Sequence, residues 1–228
     1  MNEPAGRSLS QQSHRRLIGY LGLFLPALLY VIAGIRHTDR LADWVLLDSI
    51  SAYYYTGAVA VFVGVLFALS LFLFTYPGYD GVSADRVVGR ISGAAALGVT
   101  LFPTTAPMCV ATLSWWSDWM RTTHYVSAVV LFVCFILFAT WLFRKSNVPL
   151  RQDRPAAKRR RDDICLACGI VMIGAVIWIA STRFTKADIF WPESIAVVAF
   201  AVSWLVKGAA EEPILRAVRG MSSKSANT

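Results

Sequence analysis

From Thr122 to Phe143 the chain runs for 22 residues without an Asp, Glu, Lys or Arg. A helix of that length rises roughly 30 Å, the thickness of a bilayer's hydrocarbon core. In lipid, every backbone N–H and C=O must find its partner within the segment, so the run has to be helical. Five further apolar stretches follow the same logic: Leu17–Ile35, Gly57–Tyr76, Val87–Phe102, Ile164–Ser181 and Glu193–Lys207. The sequence therefore predicts an all-α integral membrane bundle of six transmembrane helices, spanning 17–207, between a short N-terminal segment (1–16) and a tail (208–228). Composition agrees. The chain is 56% hydrophobic and only 16% charged, against about 25% charged in soluble domains. Pro26 falls within the first run as an expected kink, and Pro192 suits the first turn of the last helix. Arg90 lies inside the third run, where its long stem can snorkel to the headgroups.

The distribution of Lys and Arg predicts which way the bundle faces. With the N-terminus inside, the inner segments carry 16 basic residues and the outer ones five: Arg36, Arg40, Arg121, Arg183 and Lys186. Short loops and this excess give an N-in, C-in topology in a cell inner membrane of bacterial type. Trp44, Trp115, Trp116, Trp119 and Trp191 then cluster at the outer interface, where indole rings are favoured. The run Ser92-Gly93-Ala94-Ala95-Ala96-Leu97-Gly98 allows close helix approach and points to a place at the bundle centre. Lys158-Arg159-Arg160-Arg161 reads as a topology signal in contact with anionic lipid. It lacks the interleaved aromatics of a nucleic-acid surface, and no nucleic-acid partner is expected. The tail 211–221 has the spacing of a short amphipathic helix lying on the membrane. No cleaved signal peptide and no internal repeat of the inverted-transporter kind is read from the chain.

The densest polar and aromatic stretch is Asp48-Ser49-Ile50-Ser51-Ala52-Tyr53-Tyr54-Tyr55-Thr56, at the outer mouth of the second run. Taken as the first turns of that helix, Ser51, Tyr54, Tyr55 and Ala58 share one face, with Asp48 or Ser49 as N-cap. Two readings stay open: a capped helix with an interfacial tyrosine belt, or the rim of a pocket. His124 stands about one turn into the fourth helix, and ionisable residues at such positions face the bundle interior or water. The candidate ligand-binding residues are Asp48, Ser51, Tyr54, Thr104 and His124. His37, Asp48 and His124 have the side chains for a zinc site if they meet in space. Otherwise no cofactor is expected. Cys165 and Cys168 have metal or redox spacing but read as small packing residues.

Phe102-Pro103-Thr104, followed by His124-Tyr125-Val126-Ser127-Ala128 and Phe132, resembles an uncharacterised prokaryotic multi-pass membrane family, domain of unknown function 998. Ser51 and Tyr54 are similar to the same pattern. A more distant likeness is to the membrane hydrolases that include alkaline ceramidases and adiponectin-receptor-like proteins. That likeness implies zinc held by histidines, including a late His-x-x-x-His pair, which the last two helices here do not contain.

Three functions are weighed. The first is a non-enzymatic membrane protein that binds a lipid or small amphiphile in an outward polar pocket. The second is a metal-dependent hydrolase acting on lipid at the outer leaflet. The third is a small-molecule or proton-coupled transporter using His124, for which no mid-membrane carboxylate is apparent as a relay partner.

Overall fold

The computed structural model describes residues 5–36, 44, 46–78, 83–107, 110–146, 148, 150–185 and 187–209. His37, Cys109 and the tail 211–221 lie outside the described residues. Among the described residues six α-helices carry the fold: α1 (Ala5–Ile35), α2 (Val59–Phe74), α3 (Ser83–Leu101), α4 (Asp118–Thr140), α5 (Ala156–Thr185) and α6 (Phe190–Ala209). Short 3-10 turns cover Ser51–Tyr55, Leu142–Arg144 and Arg151–Asp153. No strand occurs among the described residues.

Each helix packs on its neighbour in sequence, and α6 closes back onto α1, so the six form a ring. Gly208 near the end of α6 lies against Arg16, whose Cγ would be 3.2 Å from a Cβ placed there. The start of α1 and the end of α6 therefore share one end of the bundle. Across the ring, α4 also touches α6, and the Phe135 and Phe200 rings stack at 3.5 Å between centroids. Trp204 is wholly buried at the centre of Tyr76, Phe138, Phe143 and Phe200.

Among the described residues four helical segments are long and apolar enough to cross a membrane: Ser13–Ile35, Asp118–Arg144, Ala156–Thr182 and Phe190–Ala209. Their outward faces are apolar too. Val126, Val129 and Val133 line the outside of α4, and Ile170, Ile177 and Trp178 that of α5, with Val129 and Ile177 each 63% exposed. Faces like these suit a lipid surround and would drive aggregation in water. The apolar helix α2 has 16 residues, about 24 Å of rise. Helix α3 carries Asp85, Arg86 and Arg90 in its first half.

The small-residue run of α3 does allow close packing, on α2 at Gly93 and on α4 at Gly98, where a Cβ would lie 3.0 Å from Ser127 Cβ. A Cβ on Gly93 would lie 2.9 Å from both Phe74 N and Ser70 O of α2. Helix α3 is a member of the ring and not its axis, because Ile91 and Leu101 face outward. The expectation of a central third helix is corrected on that ground. Pro26 is accommodated in one continuous helix.

Candidate functional site

The stretch 48–56 is not the opening of α2. Residues Ser51–Tyr55 form a separate 3-10 turn, and α2 begins only at Val59. Ser49 Oγ accepts from Ala52 N at 3.1 Å, while Thr56 Oγ accepts from Ala58 N at 3.1 Å. These side-chain bonds turn the backbone before the long helix starts. With three residues per turn, Ser51 and Tyr54 eclipse and Tyr55 is rotated away. That separates the shared face expected of an α-helix.

The turn is bonded to helices on both sides. Towards α6, the Asp48 carbonyl accepts from Ile189 N at 2.7 Å and Phe190 N at 2.9 Å. Glu193 Oε2 accepts from Ile50 N at 2.7 Å. Towards α3 and α4, Ser51 Oγ lies 2.9 Å from His124 Nε2, and His124 Nδ1 lies 2.7 Å from the Phe102 carbonyl. A carbonyl only accepts, so Nδ1 carries the hydrogen. In the neutral ring, Nε2 then accepts from the Ser51 hydroxyl. Tyr55 Oη donates to the Thr104 carbonyl at 2.5 Å. The stretch thus stitches α6 to α3 and α4 across one end of the ring.

Ser51, Thr104 and His124 are buried, with His124 only 2% exposed. Tyr54 packs edge-on against Tyr55 and Phe62. Burial pushes the hydroxyls of Tyr54 and Tyr55 above the usual tyrosine range, so both are neutral donors. Phe102 meets the exposed Trp119 edge-on at 5.3 Å, and Trp116 Nε1 donates to the Pro103 carbonyl at 3.1 Å. The structure therefore joins Ser51 to His124 directly and the Thr104 carbonyl to the same turn through Tyr55, while Tyr54 meets this group through its ring contacts with Tyr55 and Phe62. The exposed Asp48 side chain instead lies 3.4 Å from Ser49 Oγ, on the α6 side.

Among the described residues no group of three His, Cys, Asp or Glu side chains converges to hold a metal. His37, one member of the expected triad, is not among them. Both nitrogens of His124 are already engaged, so metal ligation there would first displace Ser51 or the Phe102 carbonyl. Cys165 and Cys168 are free and buried. Cys165 Sγ contacts the Ser203 carbonyl at 4.0 Å, as a packing residue would.

Sequence reasoning missed two participants at this end and one residue at the other. Glu193 enters the sequence reading only as the start of the last apolar run, with no role at the site, yet an acid in the first turn of a helix is a familiar helix-start signal. The Phe102 carbonyl carries no signal in the sequence. His14 was given no role; its Nε2 sits 2.5 Å from the Phe72 carbonyl at the other end of the bundle.

That far end is built differently. Asp162, 3% exposed, takes Arg154 at 3.0 Å and also Lys158. The carbonyls closing α4 are collected by cations: Thr140 by Arg144 at 2.9 Å, Phe143 by Lys207 at 3.3 Å, and Arg144 by Arg154 at 3.3 Å. Basic side chains favour a helix C-terminus because its carbonyls lack intrahelical partners.

Comparison of the chain with protein-family models, curated proteins and solved structures gives no match.

Proposed function

We propose that this is a multi-pass inner-membrane protein whose Ser51 end faces outward and binds a lipid or small amphiphile. The observation that carries the reading is the junction at which Ser51 meets His124 and Tyr55, with Tyr54 packed edge-on against it, meets the Thr104 carbonyl, three separate elements contributing. Hydroxyls and an imidazole lie there beside half-buried tyrosines and an exposed tryptophan, the mixed surface that an amphiphile's headgroup and chain require. The outward apolar residues Phe67, Leu71 and Phe74 of α2 and Val87 and Ile91 of α3 support counting those helices as spans too, six in all. The excess of Lys and Arg at the Asp162 end supports placing that end inside. The test is lipid analysis of protein purified in mild detergent. Tyr54→Leu, alone and with His124→Gln, should strip one specific lipid from the preparation. An unchanged lipid profile in the folded double variant would sink the reading.

Hydrolysis of a lipid is a second reading, with one observation in its favour. A serine hydroxyl that donates to an imidazole, itself oriented through its other nitrogen, is the bonding pattern of an activated nucleophile and its base. Labelling by a fluorophosphonate, lost in Ser51→Ala, would move this reading ahead. A metal on His37, Asp48 and His124 remains the other form of the same proposal. Near-stoichiometric zinc by elemental mass spectrometry, absent from His124→Ala, is its expected result.

A further inference from the structure

A cleft of about 970 Å³ opens between the 3-10 turn Arg151–Asp153 and the first turns of α5. It lies at the Asp162 end, remote from the Ser51 junction. Arg151, Arg159, Arg160 and Asp163 supply its charge, and Leu150, Ile164 and Ala167 its apolar lining. Three guanidiniums against one carboxylate leave a surplus of two positive charges. Arg151 is held in place by Asp163 through two bonds of 2.6 and 2.8 Å. Arg159 reaches the Gln152 carbonyl at 3.4 Å. Arg160 is exposed and has no partner among the described residues.

The basic run is divided between two faces of α5. Lys158 turns inward to Asp162, whereas Arg159 and Arg160 line the cleft. Below them on the outside of the helix come Ala167, Ile170 and Val171, all exposed. The face thus reads guanidinium first and apolar second, in the direction in which α5 enters its apolar run. A soluble phosphate compound would use only the upper part. A phospholipid uses both, with its phosphate on the planar donors of arginine and its chains along Ile164, Ala167 and Ile170.

We propose that this cleft is a binding site for the phosphate headgroup of an anionic phospholipid. It is separate from the Ser51 junction and does not depend on the function proposed for that end.

The full-length protein in detergent is titrated with phosphatidylglycerol, with phosphatidylcholine, and with inorganic phosphate, and bound lipid is read by native mass spectrometry and thermal shift. Saturable binding of phosphatidylglycerol over phosphatidylcholine is expected. Arg159→Gln with Arg160→Gln should weaken it roughly thirtyfold, on the usual contribution of a basic residue near an anionic surface. Ala167→Trp, which fills the apolar part and leaves every charge in place, should weaken it as well. Arg121→Gln, at the Ser51 end, should leave it unchanged. Equal binding of the two lipids, or unaltered affinity in the double arginine variant, would overturn the proposal. Inorganic phosphate that stabilises the protein as well as the lipid does would overturn it in favour of a soluble anion. Loss of binding confined to the arginine variant, with Ala167→Trp normal, would do the same.

Discussion

The two ends of this bundle solve one problem with opposite chemistry. Both must close a ring of helices and satisfy the polar groups left over where helices stop. At the Ser51 end most partners are neutral and directional: a hydroxyl on an imidazole, an imidazole on a carbonyl, a phenol on a carbonyl, with the Glu193 carboxyl taking one backbone N–H beside them. At the Asp162 end they are charged and shared, with one buried carboxylate between two cations and further cations on the last carbonyls of α4. The contrast shows that basic residues at one end need not serve topology alone. Arg144, Arg154, Lys158 and Lys207 also bond the C-terminus of α4.

The sharpest test of the comparison is Asp162→Asn. Arg154 and Lys158 are mostly buried around that carboxylate, with side chains 17% and 19% exposed. Removing one member of a buried ion cluster leaves uncompensated charge and typically costs about 3–5 kcal/mol. Thermal unfolding in detergent should show this as the largest loss from any single polar substitution at either end. If Asp162→Asn costs less than substitutions at the Ser51 end, the charged end is not the tighter of the two.

His124→Ala comes next. It leaves the Ser51 hydroxyl and the Phe102 carbonyl without partners in a buried place, at roughly 1–3 kcal/mol for each group that water does not reach. His124→Gln should recover part of the loss, because an amide can both donate to the carbonyl and accept from the hydroxyl. The pair Ser51→Ala and His124→Ala should be non-additive in a double-mutant cycle, by about 1 kcal/mol. Strict additivity would mean that the two side chains do not bond.

Much of this was legible in the sequence, and the pattern of what was not is physical. Apolar runs fixed by bilayer thickness gave helices in the right regions, since periodicity and length are properties of a segment alone. Ser51, Tyr54, Thr104 and His124 stood out because polar groups at the edge of apolar runs need a reason. That they belong to one set was an expectation from sequence; which of them bond one another was not legible, and neither was the separation of Asp48 to the α6 side, because both depend on which helices become neighbours in the ring. The 3-10 turn was misread as α-helix. Ser49 and Thr56 bond backbone groups within a few residues, and that local competition decides between turn and helix. The place of α3 was misread because small residues announce close packing without saying how many partners share it.

Gly93→Ala tests that last point. The added carbon would sit 2.9 Å from two backbone atoms of α2, so the helices must separate. Overpacking of this kind costs about 1–3 kcal/mol. Gly174 on α5 has nothing within 4 Å of the same added atom. There Gly174→Ala should raise stability by up to about 1 kcal/mol through helix propensity. Opposite signs for two glycines in apolar helices would follow from packing alone.

The smallest effect belongs to the ion pair with the best geometry. Arg151 and Asp163 meet through two bonds of 2.6 and 2.8 Å, closer than the Arg154–Asp162 pair at 3.0 Å. Distance by itself would rank the Arg151 pair as the stronger. Its side chains, however, are 64% and 52% exposed, so water and salt weaken the attraction while both chains still lose rotamer freedom. Exposed pairs contribute about 0–1 kcal/mol. Arg151→Gln should therefore shift the unfolding midpoint little, and in 1 M salt, where the Debye length is about 3 Å, the shift should vanish. Asp162→Asn should keep most of its cost in the same salt, because screening ions do not reach a buried carboxylate. A salt response of equal size in both variants would place Asp162 in contact with solvent and remove the distinction between a charged surface and a charged interior at that end of the bundle.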